Sequence, residues 1–164
     1  IWLWGKAARW AQLYLRKTPK SEQEEQIHQL IGGMRMTIHT MMTADESGKE
    51  LVELAQQLAQ TLVRNGLTRA QIRNIFTEVR QIEAMWQMGG EHKADALRRL
   101  NMLRPKLAYQ TARSNAVKDL QISLSAAIDE VEKAPADGKD KAFKRFMDFF
   151  EAVLAYHRAE GGRN

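Results

Sequence analysis

Arg69, Arg73 and Arg80 are spaced so that, at 100° per residue on a helix, they fall within about 40° of one another. Their arc lies just beyond Phe76, at the border of an apolar face of about 120° made by Ile72, Ile75, Phe76, Val79, Ile82 and Trp86. A guanidinium stripe in that position suits two roles. It can hold a polyanion, because each arginine offers a planar fork of donors that matches phosphate. It can equally flank the core, with stems over apolar surface and heads in water.

A second group follows Pro105. The spacing of Val117, Leu120, Leu124, Ile128 and Val131 makes one core stripe, and projecting it backwards along a single helix leads through Arg113, Tyr109 and Lys106. Lysine and arginine suit phosphate, and tyrosine can stack on a base or donate to a phosphate. The alternative is a helix end that projects past the core, its cations paired with carboxylates. Arg98, Arg99 and Arg104 add charge directly before the proline. All of these are backbone-type contacts, which position a nucleic acid without reading its sequence.

Catalysis finds no comparable support. His28, His39, His92 and His157 are scattered without metal-ligand spacing, no serine sits in a nucleophile elbow, and no glycine pair has the frame of a phosphate-binding loop. His157 falls on an apolar face and reads as a packed or edge histidine. The expectation is therefore no enzyme activity, no cofactor and no metal. Cysteine is absent, which excludes disulfides and thiolate metal sites and fits a reducing cytoplasm.

The elements that must position these residues are helical. Ala, Leu, Gln, Arg and Glu are plentiful among 164 residues, with only 3 prolines and 10 glycines between them. Residues 1–17 read as a short amphipathic helix, basic and rich in tryptophan, that docks on the protein rather than on lipid. Ser21 and Glu24 have capping-box spacing and open an acidic helix that Gly32-Gly33 stops. Residues 34–43 fit either a turn of helix or an extended connection. Ser47 and Glu50 repeat the capping box, and that helix runs to a glycine stop at Asn65-Gly66. Thr68 and Gln71 form a third box, with Leu67 and Ile72 spaced as a hydrophobic staple, and open a helix over residues 68–88. A helix over 91–103 follows. Pro105 breaks or kinks the chain there and starts a long helix over 105–133. A turn at 134–138 precedes a last helix over 139–159 with a wide aromatic face, and Gly161-Gly162-Arg163-Asn164 reads as a frayed tail. The fold class is all-α: a bundle of about five core helices over residues 47–160, with residues 1–46 as a helical extension and 47–164 as the main domain.

Charge is distributed unevenly. Residues 64–118 carry eleven basic and four acidic side chains, against two and seven in residues 21–63. A polyanion would be drawn to that block. No run reaches the length of a membrane span, so no stable membrane association is expected.

Three ordered motifs carry a resemblance. Leu67-Thr68-Arg69-Ala70-Gln71-Ile72-Arg73-Asn74-Ile75-Phe76 resembles the signature of the small subunit of type III-A CRISPR (Csm) effector complexes. Leu103-Arg104-Pro105-Lys106-Leu107-Ala108-Tyr109-Gln110-Thr111-Ala112-Arg113 is similar to its second signature. The ending through Phe143, Phe146, Ala155-Tyr156-His157 and Gly161-Gly162 is similar to its third. The resemblance covers about residues 48–164 and implies a helical bundle that binds RNA without cutting it. It also implies contact with the backbone of guide and target RNA, in company with other Csm subunits and further copies of itself. Arg73, Lys106, Tyr109 and Arg113 would face RNA by motif, Arg69 and Arg80 by helical projection alone. Residues 1–46 depart from the short N-terminus of the family. A reading of a different class is a helical scaffold that oligomerises through the aromatic face of its last helix.

Overall fold

Six α-helices account for most of residues 20–164, the part of the chain that the computed structural model describes. They are α1 Lys20–Thr43, α2 Lys49–Arg64, α3 Arg69–Met88, α4 Glu91–Arg113, α5 Lys118–Lys133 and α6 Lys139–Ala159. Single 3-10 turns, Asn115–Val117 and Ala136–Gly138, precede α5 and α6. Among the described residues there is no strand, and the fold is the expected all-α bundle. The helix expected over residues 1–17 lies outside the described residues.

The core is built on α6, which lies against α2, α3 and α5, while α4 packs on α3 and α5. Phe146, Phe149, Phe150 and Val153 of α6 are fully buried. Each such side chain removed from water contributes roughly 1.5–3 kcal/mol. From α2 they meet a face of Leu51, Leu54, Ala55, Leu58 and Leu62; from α3, Ile72, Ile75, Val79, Ile82 and Trp86. Trp86 stacks on Phe143 with centroids 4.2 Å apart, and its Nε1 donates to Asp140 at 2.8 Å. The aromatic face of the last helix is thus used up inside the chain's own core. It is not an exposed surface on which copies could oligomerise.

Three local expectations fail, the first and third for a tertiary reason. Gly32-Gly33 does not stop a helix: α1 continues to Thr43, and neither glycine has a positive φ. Its second half is anchored because Ile38, Met41 and Met42 belong to the common core, and α1 lies along α5. Thr37, Thr40 and Thr43 each donate to the carbonyl four residues back, as helical threonines do. Ser47 Oγ accepts from Lys49 N–H at 3.3 Å but makes no capping box with Glu50. The N-cap is Gly48, and the Asp45 carboxylate accepts from Leu51 N–H at 2.8 Å instead. Because a Cβ on Gly33 would meet nothing within 4 Å, Gly33→Ala is expected to stabilise the protein by about 0.5–1 kcal/mol. A raised midpoint in urea would show this. A lowered midpoint would show that helical geometry does not hold there.

The third failure matters for the site. α4 runs unbroken through Pro105, which is exposed. A proline removes one backbone bond, but Ala96, Leu100 and Leu103 before it and Leu107 after it are all buried and hold the helix together. The chain breaks at Ser114 instead, where the backbone is extended (φ −145°, ψ 109°) and the 3-10 turn redirects it. Val117 and Leu120 then open the buried stripe of α5. The backward projection of that stripe through Arg113, Tyr109 and Lys106 therefore does not hold. These three residues belong to α4.

Candidate nucleic-acid interface

The turn into α3 is built as its residues require. Gly66 takes φ +83° and lets Leu67 N–H return to Leu62 O at 3.0 Å, closing α2. Thr68 Oγ1 accepts from Gln71 N–H at 3.2 Å and Gln71 Oε1 accepts from Thr68 N–H at 2.9 Å, a complete capping box. Leu67 and Ile72, the expected staple, are both buried.

The C-terminus closes on this same turn and is not a frayed tail. Gly161 at φ +84° is the left-handed cap of α6, and Gly162 N–H reaches back to His157 O at 3.0 Å. His157 is 1% exposed, and its Nε2 donates to Leu67 O at 2.8 Å. A carbonyl can only accept, so the proton sits on Nε2. Arg69 N–H, a free donor at the helix start, is satisfied by Arg163 O at 2.7 Å. The third sequence motif thus clasps the first.

The six candidate residues fall in two groups on opposite flanks of α3. On the flank toward α6, where Phe76 meets Phe150 edge-on at 5.2 Å, stand Arg69, Arg73 and Arg80. Arg69 is half-buried, and its Nη1 donates to Asn164 Oδ1 at 3.2 Å, so it is part of the clasp. Arg80 pairs with Glu83 at 2.7 Å and Glu151 at 3.3 Å. Arg73 is exposed and its side chain has no partner among the described residues.

On the other flank, α4 brings Lys106 Nζ to Glu78 Oε1 at 2.9 Å. Tyr109 is 61% exposed, and Arg113 lies over its ring at 5.8 Å from the centroid, with no carboxylate partner among the described residues. The strip of α3 between the flanks, Asn74, Thr77 and Gln81, is exposed. Between α3 and α4 lies a cleft of about 200 Å³, floored by Ile75, Leu103 and Leu107 and walled by Gln71, Asn74, Glu78, Lys106 and Gln110.

Pairing removes several of the sequence's cations from the free surface. Arg99 Nε bonds Glu78 at 3.0 Å, and Arg104 bonds Asp129 at 2.6 Å. Held first by Lys106 and then by Arg99, Glu78 stays ionised below the ordinary glutamate range. Arg98 is exposed without a partner among the described residues. Sequence reasoning passed over Arg163, which the clasp places beside the start of α3. The signal for it was Gly161-Gly162, the same kind of glycine stop that was read at Asn65-Gly66. Among the described residues no group of His, Asp or Glu could hold a metal ion, and no helix is long and apolar enough to cross a membrane.

A family model described as Csm2 Type III-A matches residues 45–163. The match takes in α2 to α6 and nearly all of the clasp, and leaves α1 outside. No curated protein and no solved structure matches the chain.

Proposed function

The chain belongs to the Csm2 Type III-A family and is a small subunit of a type III-A effector complex. On that premise we propose that it binds guide and target RNA along their backbones, without cutting either, and helps to monitor their pairing in antiviral defence. Its partners are the other Csm subunits, further copies of itself and the two RNA strands.

The observation that carries this reading is the pair Arg73 and Arg113. Both are exposed, both lie in the motif segments on α3 and α4, and neither has a carboxylate partner among the described residues. Several neighbouring cations are tied to acids, which leaves these two, with Arg98, as exposed guanidinium groups open to phosphate, and of the three only these two lie in the motif segments. They sit in the block of the chain with the largest basic excess. Lys106 and Tyr109 extend the surface along α4. Arg69 and Arg80 contribute field more than contact, since each already has partners.

The test is binding of the full chain to unrelated single-stranded RNAs and to a guide–target duplex over a series of salt concentrations. Affinity should be nearly independent of sequence and fall steeply with salt, because each neutralised phosphate releases counterions. The RNA should be recovered intact with magnesium present. Absence of binding at low salt overturns the reading, as does turnover that a single histidine substitution abolishes.

A further inference from the structure

Glu78 carries one cation more than its charge calls for. A single oxygen, Oε1, accepts from Arg99 Nε at 3.0 Å and from Lys106 Nζ at 2.9 Å. The two cations differ in how firmly they are held. Arg99 is one-third exposed and also donates to Gln81 Oε1 and Met85 Sδ, so three side chains of α3 fix its guanidinium plane. Lys106 is 57% exposed, and Glu78 is its one partner among the described residues. Lys106 can leave without stranding the carboxylate, because Arg99 stays behind to compensate it.

Lys106 shares the cleft with two further donors, Asn74 on α3 and Gln110 on its own helix. Asn74 and Gln110 line the same cleft, and neither side chain makes a hydrogen bond among the described residues. Each carboxamide has an N–H₂ to give. At about 200 Å³ the cleft has room for several waters, at about 30 Å³ each, or for a phosphate group.

We infer that the cleft between α3 and α4 is a phosphodiester subsite in which Lys106, Asn74 and Gln110 hold an RNA phosphate, and that Glu78 is the internal anion engaging Lys106 in its absence. The inference rests on the RNA-binding reading above. Exposed ion pairs are weak and screened, so exchanging a carboxylate for a phosphate costs little and the ammonium stays charge-compensated throughout. The subsite then has a built-in competitor that lowers RNA affinity.

A double-mutant cycle on RNA affinity measures that competition, since it isolates the coupling between two side chains. Glu78→Gln removes the competitor and should tighten binding of an unrelated single-stranded RNA about fivefold, the size of one weak ion pair. Asp148→Asn removes the same charge from α6 and should change it less than about twofold. Lys106→Ala should weaken the wild-type chain only about threefold but the Glu78→Gln chain about tenfold or more, because the competitor no longer offsets the phosphate. Equal factors in the two backgrounds overturn the subsite.

Should Glu78→Gln fail to fold, the wild-type chain supplies the readout by NMR of the Glu78 carboxylate carbon. Saturation with RNA draws Lys106 away and should raise the Glu78 pKa toward the ordinary glutamate value. A titration that RNA leaves unchanged overturns the subsite. A wild-type chain that binds no RNA at any salt overturns the parent reading instead.

Discussion

Gly162→Val should lower the thermal midpoint by roughly 2–12 °C. Gly162 is buried, and a Cβ there would sit 2.2 Å from His157 Cε1, 2.5 Å from its Nδ1 and 2.9 Å from its carbonyl oxygen. None of these atoms can yield easily. The ring is fixed by the bond from Nε2 to Leu67 O, and the carbonyl by the bond from Gly162 N–H that closes α6. Overpacking of this kind costs about 1–3 kcal/mol, and a domain of this size loses roughly 2–4 °C per kcal/mol.

The effect should reach beyond the tail. Displacing Gly162 also moves Arg163 O, the acceptor for Arg69 N–H at the start of α3. Amide exchange at Arg69 should therefore speed up more than exchange in the middle of α3. Arg163→Ala keeps the backbone acceptor and should melt within about 1 °C of wild type, as exposed substitutions usually do. If Gly162→Val also melts within that interval, the clasp contributes nothing to stability.

The contrast between Thr68 and His157 shows what was legible in the sequence. Thr68, Gln71 and Gly66 act on atoms within a few residues of themselves, so their types and spacing specify the turn, and the structure reproduces it. His157 could be assigned to an apolar face but not to Leu67 O, because nothing local links positions ninety residues apart. Pro105 misled for a related reason. It is the strongest local breaker on α4, yet four buried side chains, three before it and one after, outweigh one lost bond. The chain turns instead at Ser114-Asn115, residue types that favour turns but lie inside the helix expected over 105–133.

The candidate surface follows the same rule. Helical phase grouped Arg69, Arg73 and Arg80 on α3, and the motif resemblance picked out Lys106, Tyr109 and Arg113, but neither could say which would be neutralised. That depends on acids from other turns and helices: Glu78 for Lys106, Glu151 for Arg80, Asp129 for Arg104. The free arginines are those that lack such an acid.

That distinction sets the last expected result. Arg73→Ala and Arg113→Ala should each weaken RNA binding about five- to tenfold, the net worth of about one solvent-exposed hydrogen bond, and by similar factors for unrelated sequences. Each should also lower the slope of log affinity against log salt by roughly 0.7 to 0.9, one phosphate's share. Neither side chain is buried, so the thermal midpoints should stay close to wild type. Arg80→Ala is the internal comparison. Its guanidinium already pairs with Glu83 and Glu151, so its loss should reduce affinity less and leave the slope nearly intact. An arginine that reads a base behaves differently: its removal relaxes preference at one position and spares other sequences. An arginine whose stem only covers the core lowers the midpoint and leaves the slope unchanged. Arg113 lies over the Tyr109 ring, so Tyr109→Ala separates loss of the guanidinium from loss of its support. If Arg73→Ala and Arg113→Ala both keep wild-type affinity and slope, this surface does not bind RNA.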